Sequence, residues 1–113
     1  MTTLVLEQEP EVVRVAVSAG DETSPGRLSA FLADGRVISA PLSWYPRLAH
    51  GTPEEWQNYE LSGGGYGIHW PDLDEDISIE NLLEGRRSQE SEQSFKRWLN
   101  RRHQQKQEKR GAA

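Results

Sequence analysis

Several things are missing from this sequence, and each absence excludes a class of structure. There is no cysteine among the 113 residues, which excludes disulfide bonds and thiolate metal sites. No apolar run approaches the ~20 residues that a membrane-spanning helix needs, and the N-terminus lacks the basic start and apolar stretch of a secretion signal. Hydrophobic residues make up 35% of the chain, which is low for a soluble protein. These absences favour one small cytoplasmic protein, part of which lies outside the core.

Lysine is also absent before Lys96, and this absence divides the chain electrostatically. Residues 1–85 carry four arginines against fifteen acids, a net charge of −11. Residues 86–113 carry nine Lys or Arg against three acids, a net charge of +6. The asymmetry predicts an acidic domain over residues 1–88, followed by a basic helix or tail over residues 89–113. The two parts can attract each other, or the tail can bind an acidic partner.

Alternating patterns predict four short strands. Residues 13–18 alternate valine with other residues, as expected of a half-buried strand. Residues 28–32 and 37–40 form two more strands on either side of Asp34–Gly35, a favoured pair for a tight turn. Residues 66–70 form the fourth strand before Pro71. Its residues predicted to project to one face are Tyr66, Ile68 and Trp70.

Capping signals predict helices between and after these strands. Thr52, Pro53 and Glu55 mark a helix start, with a reciprocal cap between Thr52 and Glu55, and this helix is expected to end near residue 60. Residues 79–84 form a short helix before Gly85, and residues 91–110 form a longer one. Residues 42–50 are either a short helix or an irregular crossover. The pattern indicates an α+β fold with a small antiparallel sheet, short helices and a basic C-terminal helix.

No complete catalytic, metal or nucleotide motif is present. The alternating Asp72, Asp74 and Asp76 begin like a calcium loop, but the required glycine and glutamate positions hold Ile77 and Leu83. The glycines of segment 63–67 lack the Gly-Lys-Ser/Thr ending of a phosphate loop, and no histidine has a second histidine at helical spacing. We therefore expect no enzyme activity, no cofactor and no resident metal, with a weak cation contact at the acidic turn left open.

An aromatic segment is the first candidate binding region. Trp44, Tyr45, Trp56, Tyr59, Tyr66 and Trp70 all fall within residues 44–70. Most of them are expected in the core, because a small core needs large side chains. A partly exposed subset would resemble an interface hot spot, in which Trp, Tyr and Arg are enriched. The residues predicted to contact a protein partner are Trp44, Arg47, Tyr66 and His69.

The basic helix is the second candidate binding region. Its cations suit contacts with nucleic-acid phosphates, which give affinity without sequence selectivity. The alternative is a solvated helix that packs on the domain through Phe95, Trp98 and Leu99, or on a second copy to form a homodimer. The residues predicted to contact nucleic acid are Arg97, Arg101, Arg102, Lys106 and Lys109.

Four stretches of the sequence resemble a known bacterial family. They are DGR at 34–36, ISAPLSWYPRL at 38–48, GGYGIHW at 64–70 and DEDIS at 74–78. On these residues, the chain resembles the family catalogued as domain of unknown function 2442 over roughly residues 10–85. The resemblance implies a small α+β domain without established catalytic activity, sometimes encoded beside a small partner protein in toxin–antitoxin-like pairs. Some members carry a C-terminal helix-turn-helix domain, for which residues 86–113 are too few.

Three functional hypotheses follow from the sequence. The first is a non-enzymatic protein-binding or regulatory module, antitoxin-like in its use of an acidic body to bind a basic partner. The second is a nucleic-acid accessory protein that uses the basic helix. The third is a domain that binds a small ligand or a metal at residues 63–76.

Overall fold

The computed structural model describes residues 10–112, and it describes side chains as far as Lys106. Its elements confirm the α+β class, since they combine six strands with short helices and one long helix. In chain order they are β1 (Val12–Gly20), β2 (Pro25–Leu32), β3 (Val37–Pro41), a 3₁₀ turn (Leu42–Trp44), α1 (Pro46–Ala49), α2 (Pro53–Gln57), β4 (Glu60–Ser62), β5 (Gly67–Trp70), β6 (Glu75–Ser78), α3 (Ile79–Glu84) and α4 (Glu92–Ala112).

The first sheet has the order β1-β2-β3, and both pairs of strands are antiparallel. The predicted turn at Asp34–Gly35 joins β2 to β3. One prediction for β1 was wrong: Val13 does not share the buried face with Val15, and 55% of its surface is exposed. The pairing register shifts between Val12 and Arg14, so Val13 is the extra residue of a β-bulge. Beyond the bulge the alternation restarts, which lets both Val12 and Val15 face the core.

The second sheet has the order β4-β5-β6 and is also antiparallel. The sequence patterns predict one sheet and miss β4 and β6, because both strands are short and rich in acidic or polar residues. Tyr66 was predicted to share a face with Ile68 and Trp70. It lies instead in the turn before β5 and is exposed, whereas Ile68 and Trp70 are buried.

The start of α2 confirms the predicted reciprocal cap. The Thr52 hydroxyl accepts a hydrogen bond from the Glu55 backbone N–H at 3.2 Å, and the Glu55 carboxylate accepts one from the Thr52 backbone N–H at 2.9 Å. The helix ends at Gln57 rather than near residue 60. Gly85, with a φ of 72°, ends α3 in the left-handed conformation that glycine adopts without strain.

Removing the cap of α2 gives the first testable prediction. Thr52→Ala should lower the free energy of unfolding by about 1 kcal/mol, because two backbone N–H groups at the helix start depend on this reciprocal bonding. Urea denaturation of the variant and the natural protein measures the difference. Thr52→Ser keeps the hydroxyl and should restore most of the loss. Equal losses from both substitutions would show that the methyl group, rather than the cap, carries the effect.

One hydrophobic cluster joins both sheets and the helices. It includes Leu28 and Ala30 from the first sheet, Ile68 and Trp70 from the second, and Trp98 from α4. Phe95 and Leu99 pack against the same cluster, as predicted for the apolar stripe of the basic helix. In the part of the chain that the structure describes, no helix is both long and apolar enough to cross a membrane.

Candidate binding surfaces

Arg47 was predicted to meet a partner, and the structure places it in an internal ion cluster. Its Nε donates to both carboxylate oxygens of Glu90 at 2.9 Å each, and its Nη1 donates to the Asp74 backbone carbonyl at 2.9 Å. The side chain is 14% exposed. One guanidinium therefore connects α1, the turn before β6 and the segment that leads into α4.

The same cluster shifts the pKa values of its members. The hydrogen bonds that Arg47 donates to Glu90 hold the pKa of the Glu90 carboxyl below its usual range, and the same bonds raise the pKa of Arg47. Burial raises the pKa of Glu75 to about 7, against the opposing attraction of Arg47. The Glu75 Oε2 is buried without a hydrogen-bond partner among the described residues. Sequence reasoning missed both carboxylates, because no local pattern distinguishes them from solvated acids.

A second ion cluster fixes α4 further along its length. Arg102 Nη1 donates to Glu55 Oε2 at 2.8 Å, and Arg102 Nη2 donates to the His50 backbone carbonyl at 3.3 Å. The bond from Arg102 is the largest effect that lowers the pKa of Glu55. The guanidiniums of Arg47 and Arg102 lie 5.5 and 5.4 Å from the ring of Trp98, within the range of cation–π attraction. The acidic body and the basic helix therefore attract each other within one molecule.

The predicted nucleic-acid residues of α4 do not form one continuous free stripe. Arg97, Arg101 and Lys106 are exposed, but Arg102 turns inward to Glu55. Lys109 lies beyond the residues whose side chains are described. Of the predicted phosphate contacts whose side chains are described, Arg97, Arg101 and Lys106 are therefore accessible, whereas Arg102 is engaged by Glu55.

The remaining predicted partner contacts have different surroundings. Trp44 is partly buried, with the Arg87 guanidinium 5.0 Å from its ring. His69 Nδ1 lies 2.8 Å from Asp76 Oδ1 on the second sheet. Tyr66 is the most accessible of the four predicted contacts. Among the side chains that the structure describes, residues 10–106, no group of three or more His, Asp or Glu is arranged to hold a metal ion.

Tyr66 belongs to an exposed apolar region where the two sheets meet. The Val12 backbone N–H donates to the Gly65 carbonyl at 2.7 Å and joins β1 to the β4–β5 turn. A Cβ on Gly65 would lie 2.7 Å from Glu11 Cβ, and its φ is 94°, so this close approach requires glycine. Beside this junction, Val13, Leu61 and Tyr66 are 55%, 39% and 44% exposed. These three residues are called the junction patch.

A groove lies along the outer edge of β1, next to α2. Its volume is about 600 Å³. The Tyr59 hydroxyl reaches the strand edge, where it accepts a hydrogen bond from the Val15 backbone N–H at 3.1 Å. Sequence reasoning placed Tyr59 on a helix and missed this contact. The groove is lined by Arg14, Val15, Ala16, Val17, Ala19, Pro53, Trp56, Gln57 and Tyr59.

Comparison with known proteins places this fold in a family. The model of the family described as protein of unknown function (DUF2442) matches residues 21–88. The chain belongs to this family. The match includes Arg47, the junction patch residues Leu61 and Tyr66, and the groove residues of α2, whereas α4 lies outside the matched range. The DUF2442 resemblance predicted from the sequence is thereby confirmed.

Two solved structures resemble this DUF2442 chain. A crystal structure of a protein of unknown function from Rhodospirillum rubrum has 26% sequence identity and a TM-score of 0.58, and the match covers 74% of this chain and 95% of that one. A solution NMR structure of an uncharacterized protein from Chromobacterium violaceum has 30% identity and a TM-score of 0.55, with 77% of each chain covered. No curated protein matches the chain. The shared fold is clear, and neither relative is described with a function.

Proposed function

We propose that this chain is a non-enzymatic protein-binding module, and that its specific role is antitoxin-like pairing with a basic partner protein. The observation that carries the proposal is the junction patch. Val13, Leu61 and Tyr66 are large apolar side chains that stay exposed beside the joint between two sheets. Exposed apolar groups that cluster within a polar surface are typical of interaction sites.

The charge of the body supports a basic partner. Residues 1–85 carry a net charge of −11. Glu60 is exposed immediately before Leu61 in the sequence, and Glu11 is exposed two residues before Val13. Complementary charge increases the association rate and disfavours wrong partners. Among the described side chains, Arg102 of α4 engages Glu55 of this surface, whereas Arg47 belongs to α1 and engages Glu90, so α4 neutralises only part of the surface. Support for the antitoxin-like role comes from the paired-gene habit that the DUF2442 resemblance implies.

An affinity pull-down tests this proposal. The full chain is immobilised and exposed to an extract of the native cells, beside the double variant Leu61→Ser/Tyr66→Ser. A specific basic protein should be retained by the natural chain, and its recovery should fall at least tenfold with the variant, because two exposed apolar contacts are lost. Val37→Ser is the matched control, since Val37 is 51% exposed on β3 and lies away from the junction.

Two outcomes would contradict the protein-binding role. One is the absence of any specific protein, and the other is equal recovery by the double variant and the natural chain. Nuclease treatment of the extract adds a third comparison. A retained component that nuclease removes would favour the second candidate function, nucleic-acid association through α4, for which the exposed Arg97, Arg101 and Lys106 are the supporting observation.

A further inference from the structure

The outer edge of β1 has backbone groups directed away from its sheet. In an antiparallel pair, successive residues direct their N–H and C=O groups alternately toward and away from the neighbouring strand. The Val15 backbone N–H donates to Tyr59 rather than to β2, which shows that this N–H is directed away from the sheet. The backbone N–H of Val17, two residues further along the strand, is therefore also directed away from the sheet. Among residues 10–112, no backbone group pairs with the outward N–H or C=O of Val17.

Features on both sides of Val17 limit the length of this open edge. At one end the outward positions are occupied, since Val12 bonds to Gly65 and Val15 bonds to Tyr59. At the other end, β1 finishes at Gly20 and turns into β2. The open part lies along the groove of about 600 Å³, whose opposite wall is α2. Its size and position suit a short extended segment of four or five residues, which could add one strand.

We propose that this groove binds an extended, basic segment of a partner protein, which pairs as an added strand with the open edge of β1 at Val17. The proposal rests on the protein-binding function above and adds a second contact region to the junction patch. Backbone hydrogen bonds to Val17 would give affinity, while contacts with Trp56 and Gln57 would select side chains.

The charge of the protein around the groove determines which kind of peptide segment binds there. Glu54 and Glu60 are exposed and are sequence neighbours of the lining residues Pro53 and Tyr59. The basic lining residue, Arg14, has its guanidinium 3.7 Å from the centre of the Phe31 ring, so it is engaged on the strand's own sheet. All the lining residues belong to residues 1–85, which carry a net charge of −11, and this acidic body favours Lys or Arg in the incoming segment.

The same charges disfavour two occupants that this chain could itself supply. Residues 1–9 contain Glu7 and Glu9 and no Lys or Arg. A second copy, paired through its own β1, would bring two acidic bodies together. Like charges placed opposite each other destabilise strand pairing and association.

Selection from a random library of 12-residue peptides, displayed on phage and presented to the full chain, tests the proposal. The enriched peptides should contain Lys or Arg at alternate positions and should bind at least tenfold more weakly to Val17→Pro. Proline removes the outward N–H of Val17 without removing a bond to β2. The proposal is overturned if no peptide is enriched, if acidic or uncharged peptides dominate, or if Val17→Pro binds equally well.

A second variant guards against misfolding of the proline variant. Glu54→Arg reverses an exposed charge next to the lining residue Pro53, in the first turn of α2, and should also weaken binding of the selected peptides at least tenfold. Glu80→Arg makes the same change at an exposed position in the first turn of α3, and binding should stay within twofold. Equal weakening by both substitutions would indicate general attraction to an acidic surface and would overturn the proposal.

Amide hydrogen exchange at Val17 distinguishes the occupants. In the free chain this amide should exchange quickly, and a selected peptide should slow it at least tenfold. Slow exchange of the Val17 amide in the free chain at every concentration would show that another part of the same chain covers this edge. Exchange that becomes slower as protein concentration rises would show that a second copy covers it. Either result overturns the proposal. If the pull-down partner is lost with Leu61→Ser/Tyr66→Ser but retained by Val17→Pro, the groove proposal fails while the protein-binding function stands.

Discussion

Replacing Trp98 with alanine should lower the free energy of unfolding by about 3–5 kcal/mol and release α4 from the body. Trp98 is 5% exposed within the common hydrophobic cluster. Its ring stacks on Phe95 with centroids 5.7 Å apart, and two guanidiniums lie over it. Alanine would remove the apolar contacts and both cation–π contacts together.

Urea denaturation measures the loss of stability, and amide exchange along α4 measures the release of the helix. Lys96→Ala is the control, because Lys96 is exposed on the same helix and should change stability by less than about 0.5 kcal/mol. Unchanged amide exchange in Trp98→Ala would show that α4 docks by other contacts. Because Trp98 belongs to the common cluster, truncation before α4 would remove core contacts as well as basic charge, so single substitutions test this helix more cleanly.

Replacing Glu75 with glutamine should stabilise the protein at pH 8 by about 1–2 kcal/mol. A carboxyl pKa of about 7 in the folded protein, against the ordinary value of 4.5, corresponds to at most about 3 kcal/mol, and solvent screening reduces this figure for a partly buried side chain. Since the folded state holds the proton more tightly, Glu75 decreases stability as pH rises from about 4.5 to about 7. Glutamine has no charge to bury and removes this loss.

Denaturation curves between pH 5 and pH 8 check both the sign of the stability change and the pH range over which it develops. The difference between Glu75→Gln and the natural protein should be small near pH 5 and should reach its full size above pH 7. Glu22→Gln, which removes an exposed carboxylate in the β1–β2 turn, should produce no comparable pH-dependent difference. A difference for Glu75→Gln that is constant across this range would mean that Glu75 is already ionised at pH 5.

Local signals made part of this structure predictable from the sequence. The Thr52–Glu55 cap, the Asp34–Gly35 turn and the Gly85 helix end each depend on residues close in sequence. A local sequence pattern therefore contains the interactions that form these features. The apolar stripe of α4 was also predicted, because its residues recur at helical spacing. These features were sufficient for the α+β class, whereas the family was indicated by the four stretches that resemble it.

Non-local features of the structure were not predictable in this way. β6 has the sequence EDIS, whose charges indicate a turn, and only pairing with β5 makes it a strand. Arginine is a residue type that is enriched at interfaces, yet Arg47 is bonded within the molecule to Glu90, which lies 43 positions away in the sequence. The bulge at Val13 depends on the register with β2. In each case a contact distant in sequence overrides the local preference.

The two arginine clusters have a consequence for folding, because both join segments that are far apart in the sequence. The Arg47–Glu90 and Arg102–Glu55 contacts span 43 and 47 positions, whereas the hairpins of the first sheet close between neighbouring segments. Closing a longer loop costs more chain entropy, so local hairpins precede contacts of this kind along a folding path. We therefore expect the helix that carries most of the positive charge to assemble onto a body that has already formed, so that its docking depends on how well that body places Arg47 and Glu55.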